Sequence, residues 1–126
     1  MDSRDKYKGY KKLKVWQKAH ELVLLVYKAT EKFPKSETYG LVSQINRATI
    51  SVAANIVEGQ ASDSKKDFHR FLIISNKSLV ELEYLLEAAK DLKMLSDDDY
   101  EKIELLRQEV GCILNGLIKS VRSKLY

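Results

Sequence analysis

The sequence predicts an all-α fold, an antiparallel up-down-up-down four-helix bundle, on three observations. Apolar residues recur at steps of three and four over four long segments. One Pro and 5 Gly leave few breaks in 126 residues. The segments are joined by a few residues each, and short connections make successive helices antiparallel neighbours. A chain of this length is one domain that removes about two thirds of its unfolded surface from water. The expected division is a flexible basic N-terminal arm over residues 1–12 and the bundle over 13–126.

The first helix is predicted from Leu13 to Lys32, with Val15, Ala19, Leu22, Val26 and Ala29 on its apolar stripe. Phe33–Pro34 ends it, because a residue before proline avoids the α region. The second runs from Glu37 to Glu58 with Gly59 as its C-terminal cap. The third runs from Lys65 to Lys93, opened by a capping box of Ser64 and Asp67. Its stripe is Phe68, Leu72, Ser75, Leu79, Leu82, Leu86 and Ala89. The fourth runs from Asp97 to Lys124 with Ser96 as cap and Ile103, Leu106, Val110, Ile113 and Leu117 on its stripe. Gly111 and Gly116, each costing a helix about 1 kcal/mol relative to Ala, are expected to mark either a close helix contact or local looseness near the chain end. Cys112, the sole cysteine, sits in the apolar run Val110–Leu114 and reads as a small core residue.

The second helix carries two neighbouring stripes. Leu41, Ile45, Ala48, Val52 and Ile56 are apolar, whereas Gln44, Arg47, Ser51, Asn55 and Glu58 form a polar ridge at the same steps. Such a ridge is expected to organise helix contacts or a subunit seam, since buried polar groups in bundles often fix register. Leu22–Tyr27, together with Val42, Ile50, Ala53 and Ala54, spreads apolar surface beyond one stripe. A second burial against another subunit is the expected outcome.

Several classes are disfavoured. No apolar run approaches the ~20 residues of a membrane span, and the N-terminus lacks a hydrophobic leader, so no membrane partner and a cytoplasmic location are expected. One cysteine agrees with a reducing compartment. A di-metal bundle needs Glu-x-x-His pairs. His20 is preceded at that step by Gln17 and His69 by Lys66, and no phosphate-binding glycine loop exists. No catalytic residue, metal site or cofactor is therefore expected. The match Asn76–Lys77–Ser78 to a glycosylation sequon reads as chance inside a helix.

The net charge of +4 is uneven. Residues 1–35 hold ten Lys or Arg against four Asp or Glu. In the predicted topology the starts of helices one and three share a pole with the ends of helices two and four. That pole collects Lys11, Lys12 and Lys14; Lys65, Lys66 and Arg70; and Lys119, Arg122 and Lys124. The other has Glu37 and Asp97–Asp99. Free amides at helix starts plus lysines suit an anion such as nucleic-acid phosphate, although cations at the end of helix four are favoured by its dipole in any case. Tyr7, Tyr10 and Trp16 lie among the lysines, placed either to stack on bases or to pack at the core edge.

The runs LKVWQKAHEL (Leu13–Leu22), FPKSETYGLVSQINRA (Phe33–Ala48), NIVEG (Asn55–Gly59) and SLVELEYLLEAA (Ser78–Ala89) resemble the bacterial four-helix-bundle proteins, the intervening-sequence proteins of large-subunit ribosomal RNA. The resemblance spans Leu13 to about Lys119. It implies the antiparallel bundle, ring assembly commonly of five subunits, and kinship with the accessory variability determinant of diversity-generating retroelements, a basic pentamer that works with a reverse transcriptase and nucleic acid. The chain departs from the pattern at Ala53 (usually proline), Lys77 (usually a small glycine) and Asn46–Arg47 (usually two arginines). These departures put a kink, a close helix contact and a paired-arginine role in question.

Two expectations follow. One is a non-enzymatic, homo-oligomeric scaffold that binds RNA or DNA through the basic pole. The alternative is a scaffold for another protein, with no nucleic-acid role.

Overall fold

A computed structural model describes residues 8–125. Four helices follow in order: α1 (Lys14–Thr30), α2 (Leu41–Ala61), α3 (Lys65–Asp91) and α4 (Asp97–Ser123). Short 3-10 turns occupy Gly9–Lys12 and Lys35–Glu37, and no strand occurs among the described residues. Each helix packs on its chain neighbours, α1 also packs on α4, and the diagonal pairs stay apart. The result is a closed antiparallel square, the predicted bundle.

The core follows the predicted period. Leu22, Val26, Ile45, Val52, Ile56, Leu72, Leu79, Leu82, Leu86, Ile103 and Leu114 are all fully buried. Each such side chain stabilises the fold by about 1.5–3 kcal/mol relative to exposure. On α4 the buried line is Ile103, Val110, Leu114, Ile118 and Val121, so Leu106, Ile113 and Leu117 flank it at half burial. Cys112 is exposed, contrary to expectation, because it lies two positions beyond Val110, about 200° round the helix.

The helix ends differ from expectation for local reasons. α1 stops at Thr30, whose hydroxyl donates to the Tyr27 carbonyl (3.1 Å). The expected start of helix two is split. Pro34 opens the separate turn Lys35–Glu37, and α2 begins after Gly40, where the Glu37 carboxylate accepts from the Leu41 amide (3.3 Å). Gly59 is no cap: α2 continues to Ala61, and Gly59 is buried inside it. A Cβ there would lie 2.9 Å from Phe68 Cδ1 and 3.0 Å from Phe71 Cβ, so the glycine lets α3 approach. Gly111 and Gly116 do no such service. A Cβ on Gly111 would make ordinary contact with Leu79 at 3.4 Å, and Gly116 faces open space.

Both serine caps form as predicted. Ser64 Oγ accepts from the Asp67 amide and Ser96 Oγ from the Asp99 amide, each at 3.1 Å. α3 ends in a left-handed residue, Lys93 (φ 61°). The Lys93 amide reaches the Lys90 carbonyl and the Met94 amide the Ala89 carbonyl, both at 2.9 Å. This bond pair is the Schellman ending that usually recruits glycine.

Candidate nucleic-acid interface

Three local contacts fix which helix ends lie together. Gly9, in the turn before α1, sits against the end of α2, where an added Cβ would fall 3.3 Å from the Gln60 side-chain nitrogen. Gly59 joins the end of α2 to the start of α3 through Phe68 and Phe71. Arg122 Nε, near the end of α4, faces His69 Nε2 near the start of α3 at 3.4 Å. Opposite, Lys32 pairs with Asp99 at 3.0 Å, joining the end of α1 to the start of α4.

One pole therefore gathers all three groups of cations: Lys11, Lys12 and Lys14; Lys65, Lys66 and Arg70; Lys119, Arg122 and Lys124. All nine are exposed. Arg70 pairs with Asp67 at 3.8 Å, and the other eight make no ion pair with any described residue. Glu58 lies at this pole yet takes none of them. The first turn of α1 has no acidic residue, and its N-cap Leu13 offers no side-chain acceptor, so its leading amides carry no local anion. Exposed cations over such a helix start raise the potential felt by a polyanion.

The opposite pole is mixed rather than acidic. Asp97, Asp98 and Asp99 stand in the first turn of α4, but Lys32 and Lys102 answer Asp99 and Asp98 at 3.0 and 3.2 Å. Of the expected arm over residues 1–12, residues 1–7 lie outside the described residues, Tyr7 among them. Gly9–Lys12 form a 3-10 turn packed on α1 and α2.

The polar ridge of α2 divides by role. Its ends, Gln44, Arg47 and Glu58, are exposed. Its centre joins α3. Ser51 and Ser78 hydroxyls meet at 2.8 Å, and the Asn55 amide donates to Ser51 Oγ (3.0 Å) and to the Ser51 carbonyl (2.8 Å). Ser75, fully buried, donates to the Val52 carbonyl at 2.7 Å. The ridge thus joins a helix seam within one chain at Ser51, which Asn55 braces from its own helix. Sequence reasoning placed Ser75 on the apolar stripe and gave Ser78 no partner; two serines a helical turn apart opposite Ser51 were the available signal. Asn46 Oδ1 shares the Thr30 hydroxyl proton with the Tyr27 carbonyl, at 3.2 Å, a tie between α1 and α2 for which an arginine has no acceptor. Lys77 is exposed, and the neighbouring Ser78 makes the contact with α2.

Two charged clusters were missed. Glu104 accepts from Arg107 through Nε (2.8 Å) and Nη2, which also lies 3.5 Å from Glu83 of α3. The Arg107 bonds hold the Glu104 carboxyl below its usual range, outweighing a partial burial that acts oppositely. The i, i+3 spacing of acid and arginine was legible as a helix pair. Lys18 bridges Glu109 (3.3 Å) and Glu21 (3.4 Å), and hydrogen bonds to those carboxylates raise its pKa. It is spent on the α1–α4 seam.

Aromatic rings border the cations. Tyr10 meets Trp16 edge-on at 5.0 Å, and Trp16 stacks on His20 at 4.9 Å with 10° between planes. Trp16 is half-buried against the core, as the edge-packing reading expected, and His20 is exposed. Elsewhere, Tyr27, Tyr39, Val42, Asn46, Arg47 and Ile50 line a shallow hollow between α1 and α2. Tyr39 is 97% exposed and Ile50 43%, so this apolar surface is uncovered in the single chain, and Leu24 of α1, outside the hollow, is 59% exposed. No helix among the described residues is long and apolar enough to cross a membrane.

Comparisons with known proteins agree with this architecture. The family model described as 23S rRNA-intervening sequence protein matches residues 11–116. Among solved structures, a protein with unknown function from the S23 ribosomal protein family of Bacteroides thetaiotaomicron is similar with a TM-score of 0.78 and 27% identity, over 83% of this chain and 95% of that one. The comparison with curated proteins found no match.

Proposed function

The chain belongs to the 23S rRNA-intervening sequence protein family, and we propose that it is a non-enzymatic homo-oligomeric scaffold that binds nucleic acid through the basic pole. The observation that carries this reading is the convergence of three helix ends, with eight exposed cations unpaired by any described residue. The family's description names a ribosomal RNA, which supports RNA as the polyanion. The uncovered apolar residues Leu24, Tyr27 and Ile50 support self-association, and five subunits is the ring size that we propose, following the resemblance. In a ring with parallel subunits the basic poles would line one face, multiplying the charge a strand meets.

Contacts of this kind are to phosphate, so binding is largely independent of sequence and falls steeply with salt. Gel shift with RNA and duplex DNA at low and moderate salt tests this. The variant Lys65→Glu, Lys66→Glu, Arg122→Glu, Lys124→Glu loses the shift while light scattering shows unchanged assembly. A variant that still binds places the interface elsewhere. The apolar hollow at Tyr27, Tyr39, Val42 and Ile50 favours a second reading, a scaffold for another protein. Intact assembly with no shift of any nucleic acid at low salt selects it.

A further inference from the structure

We propose that the nucleic acid held at this pole is single-stranded, and that one of its unpaired bases stacks on the ring array Tyr10–Trp16–His20. The inference rests on the reading above and adds to it a base contact and a strand preference. Trp16 is wedged against the core, which fixes the indole. Tyr10 buttresses it edge-on at 5.0 Å, and the His20 ring lies nearly parallel to it at 4.9 Å. The array is thus held in place at Trp16 and ends in an exposed imidazole. A planar ring added there continues a stack already built, with little ordering cost.

Its surroundings decide which ring. From Lys8 to His20 there are five lysines and no acidic residue. Lys18 is engaged by Glu21 and Glu109, whereas Lys8, Lys11, Lys12 and Lys14 are exposed, unpaired by any described residue, and lie in the same turn and helix start as Tyr10 and Trp16. A π-face next to several cations matches a strand whose phosphates and bases are both accessible. A duplex keeps its base faces inside the helix and presents phosphates alone, so it meets only the lysines. An edge of core needs Trp16 but has no need of a parallel, exposed His20.

The test uses a short oligoadenylate RNA, alone and annealed to its complement, at one low salt concentration. Trp16 is the sole tryptophan, so its fluorescence reads the array directly. The single strand quenches it and binds more tightly than the duplex. His20→Ala, which leaves Trp16 in place, weakens single-strand binding about tenfold, the scale of one base–aromatic stack. It leaves duplex binding, the salt slope and the assembly unchanged, and His20→Tyr restores the affinity. Equal loss for both forms, no loss in His20→Ala, or an unquenched Trp16 on a bound strand overturns this proposal and leaves the basic-pole reading standing. Absence of binding by either form overturns both.

Discussion

The hydroxyls of Ser51 and Ser78 meet at 2.8 Å across the seam of α2 and α3, one turn from Ser75, whose hydroxyl donates to the Val52 carbonyl. Three small polar side chains let two backbones come close while each buried oxygen keeps a partner. Ser75→Ala is expected to lower unfolding stability by about 1 kcal/mol, the usual worth of such a bond. Ser75→Leu costs more, because a larger side chain has to displace α2. In urea titrations, Ser51→Ala and Ser78→Ala should be non-additive, with a coupling of about 0.5–1.5 kcal/mol. Strict additivity would mean the two hydroxyls do not cooperate.

The glycines of α2 and α4 should respond oppositely to alanine. At Gly59 the new methyl meets Phe68 and Phe71 at 2.9 and 3.0 Å, so Gly59→Ala is expected to destabilise by about 1–3 kcal/mol. At Gly116 nothing lies within 4 Å, so Gly116→Ala stabilises by about 1 kcal/mol through helix propensity alone. Thermal melts of the two variants side by side check the sign of each.

Lys93 holds a left-handed conformation that costs an L side chain about 1–2 kcal/mol. Lys93→Gly removes that cost without touching the two closing bonds from residues 93 and 94. The variant is expected to be more stable by up to about 1 kcal/mol, the gain being reduced by glycine's freedom in the unfolded chain. A lower denaturation midpoint would show that Lys93 makes a contact outweighing its strain.

The Glu104–Arg107 pair gives stability a pH dependence. The carboxyl is held below its unfolded value of about 4.3, chiefly by the Arg107 hydrogen bonds. Its contribution is therefore fully present above that value and is lost as pH falls through the lower folded one. Denaturation midpoints followed from neutral to acidic pH should fall more steeply in the native chain than in Glu104→Gln. Identical profiles would assign the acid sensitivity to other carboxylates.

Fold and site were legible to different degrees, and the physics of each explains why. Burial of Val15, Ala19, Leu22 and Leu72 follows from a three–four period that survives any local detail. So do the serine caps at Ser64 and Ser96, whose geometry involves four consecutive residues. The placement of cations at one pole needed only helix count and direction. What escaped was set by partners far along the chain. Gly59 looked like a cap because nothing in its own segment announces Phe68 and Phe71. Cys112 looked buried because an apolar run gives composition but not azimuth. The ridge of α2 looked uniform until Ser78 took its centre and left its ends in water.

The tie between Lys32 and Asp99 spans 67 positions of sequence, and the packing of α1 on α4 it accompanies is the most non-local helix pairing among the described residues. Contacts that close the largest loops tend to form late, after the neighbouring pair α2 and α3 has docked. The basic pole draws on the turn before α1 and on the end of α4, so it exists only once that closure is complete. A polyanion that bridges the two would act as a clasp on the finished fold, and native-state hydrogen exchange should show it slowing the opening of α1 and α4 in step with the ligand concentration.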